Sequence, residues 1–177
     1  MSQDRAVTKA VNHVGNLLEK SQAQIAAALG RGLSPARLMR VAITELRLNT
    51  DLLKCHPLSI VGAVIQCAQL RLDLAKPLGQ AYLVRYKHEC QLQIGYRGLI
   101  TLAHRAKTVQ DVFAQVVHEK DHFKYVDGLQ PILEHVPDMK SDDPGPLVAA
   151  YVIIRMDGVE APHFEVMPRR EILKIRA

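Results

Sequence analysis

Residues 81–107 read AYLVRYKHECQLQIGYRGLITLAHRAK, and this segment shows most clearly how the chain folds. Apolar and polar residues alternate over 82–86 and again over 90–94, which predicts two strands. The short Lys87-His88-Glu89 turn between them predicts a hairpin. In the second strand Cys90, Leu92 and Ile94 share one face, with glutamines on the other.

The hairpin leads into a helix. Gly95-Tyr96-Arg97-Gly98 predicts a strand-to-helix turn, in which the first glycine bends the backbone and the second lets the helix start close to another backbone. Residues 98–106 predict the helix itself, with Leu99, Leu102 and Ala103 facing inward. A helix N-terminus binds phosphate through its free N–H groups, and Arg97 adds a charged fork. The alternative is a plain turn with an exposed arginine.

Positive charge and tyrosines are concentrated around this stretch. Residues 76–107 contain six basic residues and one acid, Glu89, with three tyrosines among them. Cations neutralise phosphates and aromatic faces accept bases, so the pattern favours a polyanion, best of all a single-stranded nucleic acid. The predicted DNA-binding residues are Lys76, Gln80, Tyr82, Arg85, Gln93, Tyr96, Arg97, Arg105 and Lys107.

Several of these residues have an alternative interpretation. Tyr82 shares a strand face with Val84 and Tyr86, which form either a stacking platform or a surface packed against helices. Arg85 lies on the opposite face of that strand. Arg105 and Lys107 end the helix, where the helix dipole favours cations in any case.

Working outward, the chain predicts an α+β domain in which N-terminal helices precede a β-β-α-β core, further strands and a C-terminal helix. One helix covers 1–29 and stops at Gly30 and Gly32. Ser34 caps the next, which starts at Pro35 and runs to about Asn49. The remaining elements are a helix over 58–72, a turn over 73–79, a strand over 109–118, a loop with short strands over 120–146, strands over 147–155 and 163–166, and a helix from Pro168.

Bulk composition fits one domain. The 177 residues are 48% apolar and 23% charged, ordinary globular values. We expect a single domain over 1–177, with a helical part at about 1–75 and a sheet-and-helix core at about 76–177. Net charge is +5 and uneven: residues 1–125 hold 17 Lys/Arg against 9 Asp/Glu, while 126–177 hold 6 against 9. The positive field therefore belongs to the first two thirds.

The N-terminus and the cysteines point to the cytoplasm. The N-terminus has no apolar signal region, and no apolar run in the sequence reaches the length of a membrane span. Three widely spaced cysteines, Cys55, Cys67 and Cys90, fit a reducing compartment and a buried structural role better than a disulfide framework or a zinc site.

Motifs of enzymes are scarce. The sequence contains no G-x-x-x-x-G-K-[ST], no G-x-G-x-x-G and no G-x-S-x-G, which argues against a P-loop ATPase and the other classes these motifs mark. One alternative is a metal-dependent nuclease. In a strand, Glu119 and Asp121 would share a face and could hold a divalent ion, although a solvated polar strand end is the more ordinary interpretation.

Several phrases resemble the RecT family of phage single-strand annealing proteins. They begin with the helix that follows Cys55-His56-Pro57 and ends in Ala68-Gln69-Leu70. The segment CQLQIGYRGLI at 90–100 is the most specific match. The other matching segments are the GQAYLV strand at 79–84, Glu119 with Asp121-His122-Phe123, His135-Val136-Pro137 and Phe164-Glu165-Val166-Met167. The resemblance covers about 33–176. One departure is the segment Leu70-Arg71-Leu72-Asp73, where the family often has glycine after the leucine.

The resemblance implies ATP-independent binding of single-stranded DNA and annealing of complementary strands in homologous recombination, with no chemical step. It implies a homo-oligomeric ring or helical filament that holds an annealed duplex intermediate. A phage exonuclease and the host single-strand-binding protein are the implied protein partners. We expect no required cofactor, Mg²⁺ as a modulator, and a further C-terminal region beyond this chain. Annealing needs one strand held extended with its bases outward. For the contact between protomers, the N-terminal helices are the expected surface.

Overall fold

The computed structural model describes residues 2–30 and 34–176. They form six α-helices and seven strands, which confirms the α+β class. The helices are α1 (Ser2–Lys20), α2 (Gln22–Leu29), α3 (Pro35–Leu48), α4 (Pro57–Leu70), α5 (Tyr96–Arg105) and α6 (Arg169–Arg176). The strands are β1 (Ala81–Tyr86), β2 (Glu89–Ile94), β3 (Val109–His118), β4 (His122–Val126), β5 (Ile132–Val136), β6 (Leu147–Met156) and β7 (His163–Pro168). Short 3-10 turns occupy Thr50–Lys54 and Lys76–Leu78.

Contacts divide the chain into two compact units, Met1–Leu102 and Ala103–Ala177. The first holds α1 to α4, the β1–β2 hairpin and most of α5. The second holds β3 to β7 and α6. A single functional domain over the whole chain therefore stays a prediction. Within the described ranges, no helix is both long and apolar enough to cross a membrane.

The N-terminal helices bury the predicted apolar stripe. Val11, Val14, Leu18, Ile25 and Leu29 are all buried. The prediction of one helix over 1–29 is wrong, because the chain turns at Ser21 between α1 and α2. That turn lets the short α2 pack its own apolar residues into the same core. Gly30 ends α2 with a φ of +69°, as predicted, and Gly32 lies outside the described residues.

Helix α3 begins as the sequence predicts. The Ser34 hydroxyl accepts a hydrogen bond from the Arg37 N–H at 3.3 Å, and Pro35 occupies the first turn. Leu38, Ala42 and Leu46 are buried, whereas Val41 is only half-buried. The helix places its apolar side on α1 and leaves its arginines at the surface.

Helix α4 lies at the centre of the first unit, where it contacts α1, α2 and β2. It ends at Leu70, two residues earlier than predicted, because Arg71 adopts a left-handed conformation with a φ of +52°. The three cysteines are buried and unpaired by disulfides, as expected. Burial raises the pKa of Cys67 and of Cys90 to about 12, so both thiols stay protonated at neutral pH.

The hairpin forms as predicted, with β1 antiparallel to β2. Its loop is the two residues Lys87 and His88, with Lys87 at a φ of +57°. Ser59, in the first turn of α4, holds the hairpin to that helix. Its Oγ accepts a hydrogen bond from the Cys90 N–H at 2.8 Å and donates one to the His56 carbonyl at 2.7 Å. The inward residues of β2 therefore rest on α4.

Helix α5 begins at Tyr96, two residues before its predicted start. Only Gly95 turns the chain, and its carbonyl already accepts the Leu99 N–H at 3.0 Å. This start gives Leu99 a different position from the one expected: it is 57% exposed, so its predicted inward orientation is wrong. Leu102 does pack on the core, and Ala103 is half-buried.

The second unit is an antiparallel sheet in the order β3-β6-β7, with a separate β4–β5 hairpin. Its small core consists of Val117, Ala149 and Tyr151, against which Phe123 and Leu133 of the hairpin pack. The predicted loop over 120–146 thus contains a regular hairpin. Pro168 ends β7, and α6 starts one residue later than predicted.

Candidate nucleic-acid interface

The β1–β2 hairpin has one buried and one exposed face. Ala81 and Leu83 of β1 are buried, while Tyr82, Val84 and Tyr86 point the other way. Across the strand pair, Tyr82 lies opposite Gln93 and Val84 opposite Gln91. We call the outward side, Tyr82, Val84, Tyr86, Gln91 and Gln93, the hairpin face. Tyr82 is 36% exposed and Tyr86 is 60% exposed, which favours the platform interpretation over the packed one.

Two glycines hold the end of the hairpin against the preceding loop. The Gly95 N–H donates to the Gln80 carbonyl at 2.9 Å. A β-carbon at Gly95 would lie 2.3 Å from the Gly79 oxygen, and one at Gly98 would lie 2.1 Å from the Gln80 oxygen. Neither position tolerates a side chain without movement of the backbone. The close approach of another backbone that was predicted for Gly98 is confirmed, and Gly95, predicted only to turn the chain, is under the same constraint.

Arg97 lies in the first turn of α5, at this junction. Its Nε donates to the Tyr96 hydroxyl at 3.0 Å, and its Nη1 donates to the Pro77 carbonyl at 3.3 Å. The hydrogen bond with Tyr96 raises the pKa of the guanidinium. A β-carbon at Gly79 would meet both Arg97 Cδ and the Tyr82 hydroxyl at 3.3 Å, so arginine and tyrosine flank the same glycine.

The positive charge of Arg97 is not balanced by an ion pair within the described part of the chain. No carboxylate among the described residues forms an ion pair with it. The first turn of α5 also has backbone N–H groups without partners inside the helix. A cation and free N–H donors at a helix start are the groups that bind a phosphate.

Lys76 and Arg85, by contrast, are already paired. Lys76 Nζ lies 3.1 Å from Glu45 Oε2, and the glutamate is nearly buried. Arg85 Nε lies 2.7 Å from Asp51 Oδ2, on the side of β1 opposite the tyrosines. DNA would have to compete with these carboxylates, so the geometry favours Arg97 over both.

Of the two predicted glutamines, Gln80 is hydrogen-bonded within the fold and Gln93 is exposed. Gln80 Oε1 accepts the Asp73 N–H at 3.0 Å, and Asp73 in turn pairs with Arg37 and accepts the Ala75 N–H. Gln80 therefore anchors the loop that carries Pro77. Gln93 is exposed on the hairpin face opposite Tyr82, where its amide is available to a ligand.

The structure thus brings Tyr82, Gln93, Tyr96 and Arg97 together at one end of the hairpin face. Tyr96 is the most exposed of the three tyrosines, at 67%. Arg105 and Lys107 belong to the second unit and are exposed. Their role as DNA ligands stays a prediction.

The second unit places Glu119 and Asp121 in the turn between β3 and β4. The expectation that they share a strand face is therefore wrong. Asp121 is inward and accepts the N–H of His118 at 2.7 Å and of Asp138 at 2.9 Å, while Glu119 is exposed. In the described parts of the chain, no three His, Cys, Asp or Glu side chains are grouped to hold a metal ion.

Sequence reasoning missed a buried polar relay around Asp121. His135 Nε2 lies 3.1 Å from Asp121 Oδ2, and its Nδ1 lies 3.0 Å from the Tyr151 hydroxyl. The His118 and Asp138 N–H groups, followed by His135, lower the pKa of Asp121 to about 2. The signal in the sequence was His135, two residues after the inward Leu133 of β5.

Fold and site together define an α+β protein with an exposed, tyrosine-bearing hairpin face beside an unpaired arginine. The model of the RecT family matches residues 36–177, and the chain belongs to that family. It is 39% identical to Protein RecT of Escherichia coli (strain K12) over 163 residues, which are 87% of this chain and 59% of that protein. It is 32% identical to the uncharacterized protein YqaK of Bacillus subtilis over 83 residues, 47% of this chain and 28% of that protein. The chain thus spans less than two thirds of either relative.

Proposed function

We propose that this protein binds single-stranded DNA and anneals complementary strands in homologous recombination, without ATP and without a chemical step. Membership of the RecT family supports the proposal. The observation that carries it is Arg97, a cation without a carboxylate partner among the described residues, next to the exposed ring of Tyr96 and the hairpin face. Such a site combines a cationic hydrogen-bond donor for phosphate with aromatic faces on which bases can stack.

The geometry suggests how a strand is held. A phosphate binds at the start of α5, between the Arg97 guanidinium and the free N–H groups of the first turn. Bases stack on the rings of Tyr96 and Tyr82, since every base has a π-face and stacking needs no sequence. Gln93 donates to sugar or phosphate oxygens. The Watson–Crick edges then remain open to a second strand.

One hairpin face is short: β1 and β2 have six residues each. It covers only a few nucleotides, so protomers must stand side by side to hold a useful length of DNA. We therefore propose a homo-oligomer, a ring or a helical filament, in which neighbouring hairpin faces continue one path. Binding in such an assembly is cooperative and falls with salt.

Several further features belong to the same proposal. The expected protein partners are a phage exonuclease and the host single-strand-binding protein, and the expected compartment is the cytoplasm of the bacterial cell. Magnesium acts as a modulator of the DNA rather than as a resident cofactor. DNA-binding roles for Lys76, Gln80, Arg85, Arg105 and Lys107 stay secondary to that of Arg97.

The test is an annealing assay with Arg97→Ala. We expect this variant to bind a labelled single strand about tenfold more weakly at moderate salt, because a charge-assisted contact is lost, and to anneal more slowly with unchanged folding. The matched control is Arg155→Ala, which removes an exposed arginine from the second unit. Equal binding by Arg97→Ala and wild type would remove Arg97 from the site.

The same assay separates annealing from the nuclease alternative. Wild-type protein is incubated with labelled complementary strands and magnesium, and the strands are sized after denaturation. Full-length strands in a duplex support annealing. Shortened strands would instead indicate a nuclease, and Glu119→Gln and Asp121→Asn would then be the variants to compare.

A further inference from the structure

A second basic surface lies on α1. Arg5, Lys9 and His13 follow one another at four-residue spacing, which places them in a line along the exposed side of the helix. Asn12 and Asn16 run beside this line. Consecutive members of the line are about 6 Å apart along the helix axis. We call the surface formed by Arg5, Lys9, Asn12, His13, Asn16 and Arg47 the α1 surface.

Arg47 reaches the same surface from α3. It lines a small cavity with Asn12 and Val11 of α1, so two helices contribute to the surface. From residue 5 to residue 18 the sequence contains no aspartate or glutamate. Neither Arg5 nor Lys9 forms an ion pair within the described ranges. These cations are therefore free to neutralise an external anion.

The α1 surface and the hairpin face lie on different elements of the first unit. The inward side of α1, with Val11, Val14 and Leu18, packs in the core that contains α3 and α4. The hairpin rests on α4 through the inward residues of β2. Both outward sides point away from that shared core. A single short DNA segment in contact with the hairpin face therefore does not explain the charges on α1.

We propose that the α1 surface binds the phosphate backbone of the second, incoming DNA strand. The inference rests on the proposed annealing function and adds a second site to it. Cations spaced along a helix, with amide donors beside them, match a row of phosphates and read no base. Such a surface concentrates the complementary strand near the first and speeds the encounter. A lipid surface is a poorer match, because the apolar side of α1 is already buried in the protein.

The test is the double variant Arg5→Gln/Lys9→Gln, assayed in two steps. Protein is first loaded with a labelled single-stranded oligonucleotide, and the complementary oligonucleotide is then added. We expect unchanged affinity for the first strand, and capture of the second strand slower by about tenfold at low salt. The control, Lys124→Gln/Lys174→Gln, removes two exposed lysines from the second unit and lowers the net charge equally. We expect the control to resemble wild type.

Five results would overturn the proposal. An equal loss of first-strand affinity would make the α1 surface part of the first site. A change in sedimentation of the unliganded protein would make it a protomer contact. Binding of wild type to anionic vesicles that the double variant loses would make it a membrane surface. Unchanged capture, with wild type annealing normally, would defeat this inference alone, whereas a wild type that binds but never anneals would defeat the proposed function as well.

Discussion

At Gly95 and Gly98 the fold has room for a hydrogen atom but not for a side chain. Each stands where a β-carbon would overlap a carbonyl oxygen of the 79–80 loop. Both lie close to Arg97, so the glycines that shape the turn also set the position of the guanidinium. The requirement is for space, since neither glycine has a positive φ.

We predict that Gly98→Ala lowers the free energy of unfolding by about 3 kcal/mol, because the new methyl group must push the Gln80 carbonyl away. Urea unfolding followed by circular dichroism of the helices measures the change. Gly62→Ala is the matched control: it lies inside α4 with nothing within 4 Å of an added β-carbon. It should raise stability by about 0.5–1 kcal/mol. Equal stabilities for the two variants would contradict the close approach.

At the scale of elements, the β4–β5 hairpin is joined to its sheet by a polar group inside an apolar surface. Phe123 of β4 stacks on Tyr151 of β6, and His135 of β5 contacts both rings edge-on. Asp121 completes the arrangement by accepting N–H groups from the segments on either side of the hairpin. The hairpin therefore depends on an ionised carboxylate.

This dependence predicts an acid-sensitive second unit. The pKa of Asp121 is lowered from 3.8 to about 2. A lowered folded-state pKa means that the carboxylate stabilises the fold fully above pH 3.8 and that this stabilisation is lost as pH falls toward about 2. We expect the melting temperature of wild type to fall more steeply than that of Asp121→Asn over this interval, and to exceed it at neutral pH. Parallel pH profiles for the two proteins would show that Asp121 is not the group responsible.

Elements with a local signal could be predicted from the sequence. The Ser34-Pro35 cap, the alternation over 90–94 and the apolar stripe of α1 each carry their own pattern, and each forms as expected. The start of α5 could not be placed, because Tyr96 and Arg97 have no strong preference between turn and helix, and the choice depends on Gly95 alone. The split at Ser21 depends on tertiary packing of α2, which has no signal in the sequence.

The candidate site, too, could be predicted only where the sequence carries a local signal. Charge and aromatic content predicted the region, and the exposed tyrosines and Arg97 agree with it. The pairing of Lys76 with Glu45 and of Arg85 with Asp51 could not be predicted, because the partners are 31 and 34 residues away in the chain. Long-range ion pairs decide which cations are available, and only the fold reveals them.

For the whole molecule, the distribution of charge governs the salt dependence of the proposed DNA binding. Residues 1–125 carry a net charge of +8 and residues 126–177 a net charge of −3, and both the hairpin face and the α1 surface lie in the positive part. In the proposed assembly of many protomers, these fields would add along the DNA. Affinity should therefore be high at low salt and fall steeply as salt is raised.

The slope of that fall separates phosphate contacts from base contacts. For single strands, log K falls against log salt by about 0.7 for each neutralised phosphate. We predict that Arg97→Ala reduces the slope by about 0.7 per protomer engaged, because one phosphate contact is lost. Tyr82→Leu should leave the slope unchanged and weaken binding by about 1–3 kcal/mol for each base that stacks on it. Fluorescence anisotropy titrations of a labelled single strand over a range of salt concentrations measure both quantities. A Tyr82→Leu variant with a shallower slope would contradict a stacking role for Tyr82. An Arg97→Ala variant with the wild-type slope would contradict a phosphate contact for Arg97.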